Sequence, residues 1–442
     1  MKLAVHVLGR DVGVLEPSGQ FESVFTYHAK TSADDFISLT MPVRTKSYEW
    51  PAPLHPIFQM NLPEGYLLKV LQEEFGPRIG ADPTELLSVI GRHMIGRLQV
   101  AAPGANLGEP PQAFEVAEVL QGDNSEEAFA ELVRKHATSG VSGVIAKFLE
   151  GRDELVGDFN KTTLFTGRYI IKGSSRKLPF IALNEHLCMQ VAAKVLPAAK
   201  TEISEDGKAL VVHRFDIDEK GRPRHGMEDF CVLLGLPPEK KYDTTWERIA
   251  KAVHDHVPGE GRREAFRHLT LTLFLTYALR NADCHAKNLA LIYTNRTDVR
   301  MAPVYDMLTT VAYAGYQNNP PGISFLGKKT WKPGRNLQAF IQDRFGISLR
   351  EQKQMVEAVS AAVSDTVPQV RAAIEKHPEF KDIGKHMLLA WEEGVAGLRD
   401  KRLYSLGPWR PEKPLAGISD PPKLKSPKIA TGRSEGLGKR GR

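Results

Sequence analysis

The feature that most constrains the fold of this chain is a polar cluster placed directly before a predicted β-hairpin. The stretch RNADCHAKN contains Asp283 and Asn288, and it follows a long apolar segment. The next residues, LALIYTNRTDVRM, are two apolar runs separated by a turn signal, which is the pattern of a hairpin. Because a hairpin returns the chain to the side from which it started, Asp306, just after the second run, is predicted to lie close to Asn288.

The spacing within this cluster indicates a chemistry. Asp283 and Asn288 have four residues between them, as do the Asp and Asn of a protein-kinase catalytic loop. In that loop the Asp accepts the proton of the acceptor hydroxyl and the Asn binds a magnesium ion. The pattern therefore predicts Asp283 as a catalytic base and predicts that Asn288 and Asp306 share a metal ion. Asn and Asp are also common at plain helix ends, which remains the alternative.

Phosphoryl transfer also needs a cation and backbone N–H groups near the phosphates. Lys172, at the end of the predicted strand YIIK, is the candidate cation, and Glu185, expected in the first turn of the next helix, is its candidate partner. An exposed lysine at a strand end is the alternative. Gly140 and Gly143 in SGVSGV allow close approach of the backbone to phosphates, although the loop matches no P-loop pattern.

These motifs make the chain resemble the HipA-family serine/threonine kinases, the toxins of bacterial type II toxin–antitoxin modules, from the amino terminus to about Lys401. The resemblance implies an α+β fold of two lobes, with a strand-rich amino-terminal lobe and a mostly helical carboxy-terminal lobe. The segments that carry it are, in order, LLSVIGRHMIGRLQV, SGVIAK, YIIK, HRFD, EDFC with LGLPPEKKY, DCHAKN and YDM.

The resemblance also implies ATP and Mg²⁺ as cofactors. It assigns catalysis to Asp283, Lys172 and Asn288, with Asn288 and Asp306 as the metal ligands. His285 belongs to the implied site with either a structural or a chemical role. The nucleotide-binding residues that it implies are Lys172, Gly140, Val141, Ser142, Gly143, Phe215 beside the adenine, His285 and Asp306.

The partners that the resemblance implies are a small helix-turn-helix antitoxin of the HipB type and a protein substrate such as an aminoacyl-tRNA synthetase. Operator DNA would be contacted only indirectly, through the antitoxin, and no membrane is involved. A small-molecule or lipid kinase would use the same residues, and a non-catalytic co-repressor subunit would need none of them. Both alternatives stay open.

The chain departs from the family pattern at positions that bear on regulation. The serine that relatives autophosphorylate aligns with Gly140, so that Ser142 and Ser139 are the candidate autophosphorylation sites. Ile145 and Val232 each stand where relatives often carry Gln. His213 stands where the family has a glutamate. All of the proposed catalytic and metal-binding residues are nevertheless present.

The length of 442 residues indicates several units. Alternating apolar residues predict a small antiparallel sheet at the amino terminus, and an amphipathic helix is predicted between Glu64 and Gly76. The predicted units are a HipA amino-terminal subdomain at 1–105, the rest of the amino-terminal lobe with the phosphate loop and nucleotide lysine at 106–235, a helical carboxy-terminal lobe with the catalytic loop at 236–407, and a basic, disordered tail at 408–442.

The charge of the chain is concentrated at its carboxyl end. Residues 421–442 hold seven lysines and arginines and one glutamate, which accounts for the whole net charge of +6. The neutral remainder argues against a broad basic DNA-binding face. With no signal-like amino terminus, no membrane-length apolar segment and three scattered cysteines, we expect a cytoplasmic protein with reduced thiols.

Overall fold

The computed structural model describes residues 1–19, 22–62, 83–107, 115–138, 145–147, 162–332, 334–407 and 409. The predicted helix between Glu64 and Gly76 and the tail beyond 409 lie outside these residues. The described residues combine three antiparallel sheets with a helical carboxy-terminal half, which confirms the expected α+β class.

The first sheet is formed by the amino-terminal segments, as the alternating apolar pattern predicts. Its strand order is β4-β3-β2-β1-β5, and every neighbouring pair is antiparallel. Side chains on one face of β3 are buried while their neighbours are only half-buried. Two short helices, α1 and α2, pack against this apolar face. The bounds are β1 Leu3–Val7, β2 Arg10–Pro17, β3 Ser23–Tyr27, β4 Tyr48–Trp50, β5 Leu98–Ala101, α1 Pro56–Gln59 and α2 Pro83–Ile90.

The second sheet carries Lys172 and has the order β6-β7-β8-β10-β9. Lys172 lies at the end of β8, as predicted, and α5 packs against β8, β9 and β10. The prediction for Glu185 was wrong by one turn, because α5 begins at Ile181 and places Glu185 in its second turn. The bounds are α3 Val116–Gln121, α4 Glu126–Thr138, β6 Ile145–Lys147, β7 Thr162–Phe165, β8 Tyr169–Gly173, α5 Ile181–Ala192, β9 Thr201–Ile203 and β10 Ala209–His213.

The third sheet contains the predicted hairpin. Strands β12 (Ala290–Tyr293) and β13 (Val299–Met301) pair antiparallel, and β11 (Gly226–Asp229) adds to the other edge of β12. All four side chains of β12 are buried. A fully buried central strand explains the continuous apolar run ALIY, because neither of its faces meets water.

The remaining helices form the carboxy-terminal half and confirm that it is mostly helical. Helix α8 forms the centre of this half, and α10 and α11 pack along it. Among the described helices, none has both the length and the apolar character needed to cross a bilayer. The bounds are α6 Phe230–Leu233, α7 Trp246–His256, α8 Gly259–Ala278, α9 Arg335–Phe345, α10 Leu349–Lys376 and α11 Lys381–Arg399.

A buried polar network ties the amino-terminal unit to the third sheet. The carboxylate of Glu228, on β11, is fully buried and accepts hydrogen bonds from the Ser38 hydroxyl at 2.7 Å, the Leu39 N–H at 2.7 Å and the Tyr293 hydroxyl at 2.5 Å. The guanidinium of Arg97 donates to the carbonyl oxygens of Phe36 and Thr294. Since buried polar groups are costly when unpaired, these bonds set how the two units meet.

Candidate active site

A cleft opens between the second and third sheets and gathers most of the predicted site residues. Its walls include residues from β8, the end of β10, β11, the loop before β12 and the segment after β13. The predicted residues that line it are Lys172, Phe215, Asp283, His285, Asn288 and Asp306. The remaining predicted residues, Ser139, Gly140, Val141, Ser142 and Gly143, lie outside the described residues.

Lys172 lies at the centre of an ion-pair cluster in this cleft. Its ammonium nitrogen is 2.6 Å from Glu185 Oε1 and 2.9 Å from Asp306 Oδ1. The side chain of Glu185 is 1% exposed, that of Lys172 is 12% exposed and that of Asp306 is 23% exposed. Such burial strengthens charge interactions relative to an exposed pair. The alternative of a solvent-exposed lysine at a strand end is therefore excluded.

Asp306 connects the lysine to the catalytic loop. Its second oxygen, Oδ2, accepts a hydrogen bond from Asn288 Nδ2 at 2.6 Å, so the hairpin has brought the two residues together as predicted. Asp306 has φ of +61°, in the left-handed region that Asp tolerates better than most residues. The adjacent Tyr305 hydroxyl donates to the Lys287 carbonyl at 2.8 Å, which holds this segment against the loop.

The loop that carries Asp283 is held by hydrogen bonds from several elements. Its chain leaves α8 through Arg280, whose φ is +55°. The Ala282 N–H donates to Thr310 Oγ1 at 2.8 Å, and the Ala286 N–H donates to the Lys241 carbonyl at 3.0 Å. The His285 N–H donates to Asn288 Oδ1 at 3.2 Å. The polar residues follow directly after the end of α8 at Ala278, and these bonds fix the geometry of the loop.

Tyr242 is a functional candidate to which the sequence motifs gave no role. Its hydroxyl donates a hydrogen bond to Asp283 Oδ1 at 2.5 Å, and its ring lies edge-on to His285. Tyr242 closes the segment LGLPPEKKY, which is part of the family resemblance. Because the two residues are 41 positions apart, no spacing rule could have paired them.

The other end of the cleft is apolar. The rings of Phe215 and Tyr305 have centroids 6.1 Å apart, and the side chains of Ile170, Val212 and Met227 line the same space. Flat apolar walls of this kind suit a planar aromatic ligand such as a nucleobase. The assignment of Phe215 to an adenine remains a prediction.

A largely buried ion pair also lines this end of the cleft. Arg214 Nη2 lies 2.6 Å from Asp216 Oδ2, with the two side chains 5% and 2% exposed. The same Asp216 oxygen accepts the Gly96 N–H at 2.7 Å, which joins the amino-terminal unit to the cleft wall. His213, at the end of β10, contacts the carboxylate of Glu202 at 2.5 Å.

The chemistry of the cleft is that of carboxylates rather than of a thiol. Burial, together with the nearby charges of Asp283 and Asp306, raises the pKa of the Cys284 thiol to about 12, so it stays protonated at neutral pH. All three cysteines are buried and none forms a disulfide, as expected. The described residues contain no group of three or more His, Cys, Asp or Glu side chains able to hold a metal ion.

Comparison with protein families finds two matching domains along the chain. The model of the HipA N-terminal domain matches residues 3–101, and the model of the HipA-like C-terminal domain matches residues 139–369. Residues 102–138 and all residues after 369 lie outside both matches.

Two relatives and one solved structure are also similar to this chain. A Sinorhizobium fredii protein named as the kinase Y4dM is 26% identical over 342 residues, which cover 70% of this chain and 78% of that protein. Another from the same organism, named as the kinase Y4mE, is 34% identical over 156 residues, covering 33% of this chain and 36% of its own length. HipA of Shewanella oneidensis MR-1, solved with HipB and operator DNA, has a TM-score of 0.66 at 17% identity, over 91% of this chain and 98% of that one. The fold is therefore shared.

Proposed function

The chain belongs to the HipA family, and we propose that it is a protein serine/threonine kinase that uses ATP and Mg²⁺. The observation that carries this proposal is the cluster of Lys172, Glu185, Asp306 and Asn288 in one cleft with Asp283. Phosphoryl transfer depends mainly on positioning and on neutralising charge, and these residues provide a cation, metal ligands and a base.

Lys172 would hold the phosphates of ATP. Glu185 supports this role because its buried carboxylate accepts from the lysine and orients it into the cleft. The apolar end, with Phe215 and Tyr305, would take the adenine. A planar base and a triphosphate together would span the cleft from its apolar end to its charged end.

Asp306 and Asn288 would hold the metal. A magnesium ion often takes only one or two protein ligands and completes its shell with water and phosphate oxygens, so the pair fits even though the described residues hold no larger cluster. The donor set also fits, because Mg²⁺ prefers oxygen ligands and Asp306 and Asn288 bring a carboxylate and an amide oxygen to the same part of the cleft. The bound ion would neutralise the charge on the phosphates.

Asp283 would hold the acceptor hydroxyl and take its proton. It lines the same cleft as Lys172 and Asp306, which a base must do to reach a hydroxyl beside the phosphates. The backbone bonds around it, from Ala282 to Thr310 and from Ala286 to Lys241, hold the loop that carries this carboxylate.

We also assign the chain to the toxin half of a toxin–antitoxin module. Family membership and the fold shared with HipA of Shewanella oneidensis support this assignment. Its partner would be a helix-turn-helix antitoxin resembling HipB, which would contact operator DNA in its place. The acceptor would be a protein of the translation apparatus, such as an aminoacyl-tRNA synthetase.

The test is to incubate the purified chain with γ-labelled ATP, magnesium and a lysate of the organism that encodes it. We expect one labelled protein band with the native chain and none with Asp283→Ala. Label found only in the lipid or small-molecule fraction would contradict a protein acceptor. ATP binding without any transfer would favour the non-catalytic co-repressor. Growth arrest on expression of the native chain, relieved by Asp283→Ala, tests the toxin role.

A further inference from the structure

The proposed reaction does not use the hydrogen bond that Tyr242 donates to the base. The hydroxyl donates to Asp283 Oδ1 at 2.5 Å. A hydrogen bond to a charged acceptor is about twice as strong as a neutral one, so it restricts the rotation of that carboxylate. Among the described residues, Asp283 lines the cleft whereas Tyr242 does not.

The ring of Tyr242 is itself held in place. His285 meets it edge-on, with ring centroids 5.0 Å apart and planes 79° apart. The ammonium nitrogens of Lys241 and Lys329 lie 5.4 Å and 5.8 Å from the ring centroid, within the range of a cation–π interaction. The backbone beside it is also tied to the catalytic loop, because the Lys241 carbonyl accepts the Ala286 N–H.

We propose that Tyr242 is a positioning residue, which fixes the rotamer of Asp283 so that the base meets the acceptor hydroxyl. This role rests on the proposed kinase function. A carboxylate on a short side chain would otherwise sample several orientations, and only some of them aim at the acceptor. A side chain that has three close neighbours of its own is suited to hold another one still.

A different use of the same contact is that Tyr242 is an acceptor of phosphate in its own chain, since an acceptor hydroxyl also bonds to the base. Tyr242 is not among the residues that line the cleft, and we therefore expect no phosphate on it. Peptide mass spectrometry of active protein distinguishes the two uses.

The experiment compares Tyr242→Phe with Tyr48→Phe. Both tyrosines are half-buried, both have a cation over the ring, and both hydroxyls donate a hydrogen bond. Tyr48, on β4, donates to the Pro42 carbonyl in the loop before that strand, and it does not line the cleft. Labelling of the host-lysate band gives kcat and the KM for ATP, and calorimetry gives the Kd for magnesium ATP. Thermal unfolding gives Tm.

We expect Tyr242→Phe to lower kcat by about 10- to 100-fold, the loss of a hydrogen bond to a charged group, with KM for ATP, Kd and Tm unchanged. Tyr48→Phe should leave kcat unchanged. Three results would each overturn the role, provided that the native chain labels its band. They are an unchanged kcat in Tyr242→Phe, an equal loss of ATP binding or of Tm in that variant, and phosphate on Tyr242. If the native chain itself transfers no phosphate, the proposed function fails as well.

Discussion

At the scale of single residues, Asp306 holds the site together. One of its oxygens contacts the lysine of the second sheet and the other contacts Asn288 of the catalytic loop. These two partners come from opposite walls of the cleft. A change at Asp306 therefore acts on metal binding and on the joining of the walls together, whereas a change at Asp283 acts only on the acceptor side.

The first prediction separates these two roles. Asp306→Asn should reduce phosphoryl transfer by at least about 100-fold, because the metal loses its charged ligand. Asp283→Ala should lower turnover by about 100- to 10,000-fold while ATP binding is kept, because a general base contacts the acceptor and not the nucleotide. Turnover assays and calorimetry with magnesium ATP measure both. Equal loss of ATP affinity in the two variants would contradict the division of roles.

The second prediction concerns the partner of Lys172. Glu185→Gln should weaken ATP binding by about tenfold and lower the free energy of unfolding by about 1–3 kcal/mol, because a buried ammonium loses one of its two charged acceptors.

The matched control for this variant is Glu357→Gln. Glu357 also forms an ion pair, with Arg399 at 2.6 Å, but its side chain is 52% exposed. Glu357→Gln should lower the free energy of unfolding by less than about 1 kcal/mol and leave ATP binding unchanged. Calorimetry and urea unfolding compare the two, and similar results for both variants would show that burial of Glu185 has no consequence.

At the scale of elements, the contact between α8 and α11 supports the catalytic loop. A Cβ atom on Gly394, in α11, would lie 2.3 Å from the Ala278 carbonyl oxygen and 2.5 Å from that of Tyr277. These residues form the last turn of α8, two residues before Arg280 and the loop. The two helices can therefore approach this closely only because position 394 has no side chain.

The third prediction is that Gly394→Ala lowers the free energy of unfolding by about 1–3 kcal/mol, through overpacking against backbone that cannot rotate away. It should also lower kcat, since the end of α8 must shift. Gly397→Ala, in the same helix with nothing within 4 Å of the added Cβ, should instead stabilise by about 0.5–1 kcal/mol. Urea unfolding measures both changes. Stabilisation by both substitutions would mean that α11 can move away from α8 without cost.

At the scale of the whole molecule, Glu228 connects the amino-terminal unit to the sheet that carries the catalytic hairpin. Burial raises the pKa of its carboxyl above the usual 4.5, and this effect outweighs the donors from Tyr293, Ser38 and Leu39, which act in the opposite direction. The folded chain therefore keeps this proton to higher pH than the unfolded chain does. Glu228 thus contributes stability below about pH 4.5 that declines as the pH rises through its folded-state pKa.

The fourth prediction uses Glu228→Gln, which does not titrate and can still accept from Leu39 and Tyr293. The free energy of unfolding of the native chain minus that of the variant should fall as the pH rises above about 4.5. Above that pH the native carboxyl must either be buried as a charge or stay protonated, and both cost free energy, whereas the Gln side chain meets neither cost. Urea unfolding of both proteins between pH 4.5 and 8 gives this difference. A difference that grows with pH would show that the three donors outweigh burial.

The sequence by itself determined the local elements and the motifs that they carry. The sequence predicted the amino-terminal strands from their alternating apolar residues and β12 from its apolar run, because side-chain periodicity reflects which faces are buried. It also predicted the turn before β13. The spacing of Asp283 and Asn288, and the hairpin that follows, also predicted that Asp306 would meet Asn288. The family resemblance supplied the likeness to HipA.

Only the tertiary structure decided which distant side chains meet. Lys172 and Asp306 are separated by 134 positions, Leu39 and Glu228 by 189, and Tyr242 and Asp283 by 41. The tertiary structure also determined where α5 begins, since Phe180, just before it, adopts a left-handed conformation that no local sequence signal predicted. The physical reason is that a hydrogen bond between remote segments depends on how sheets and helices pack, and packing is a property of all the buried surfaces together and not of any one stretch of chain.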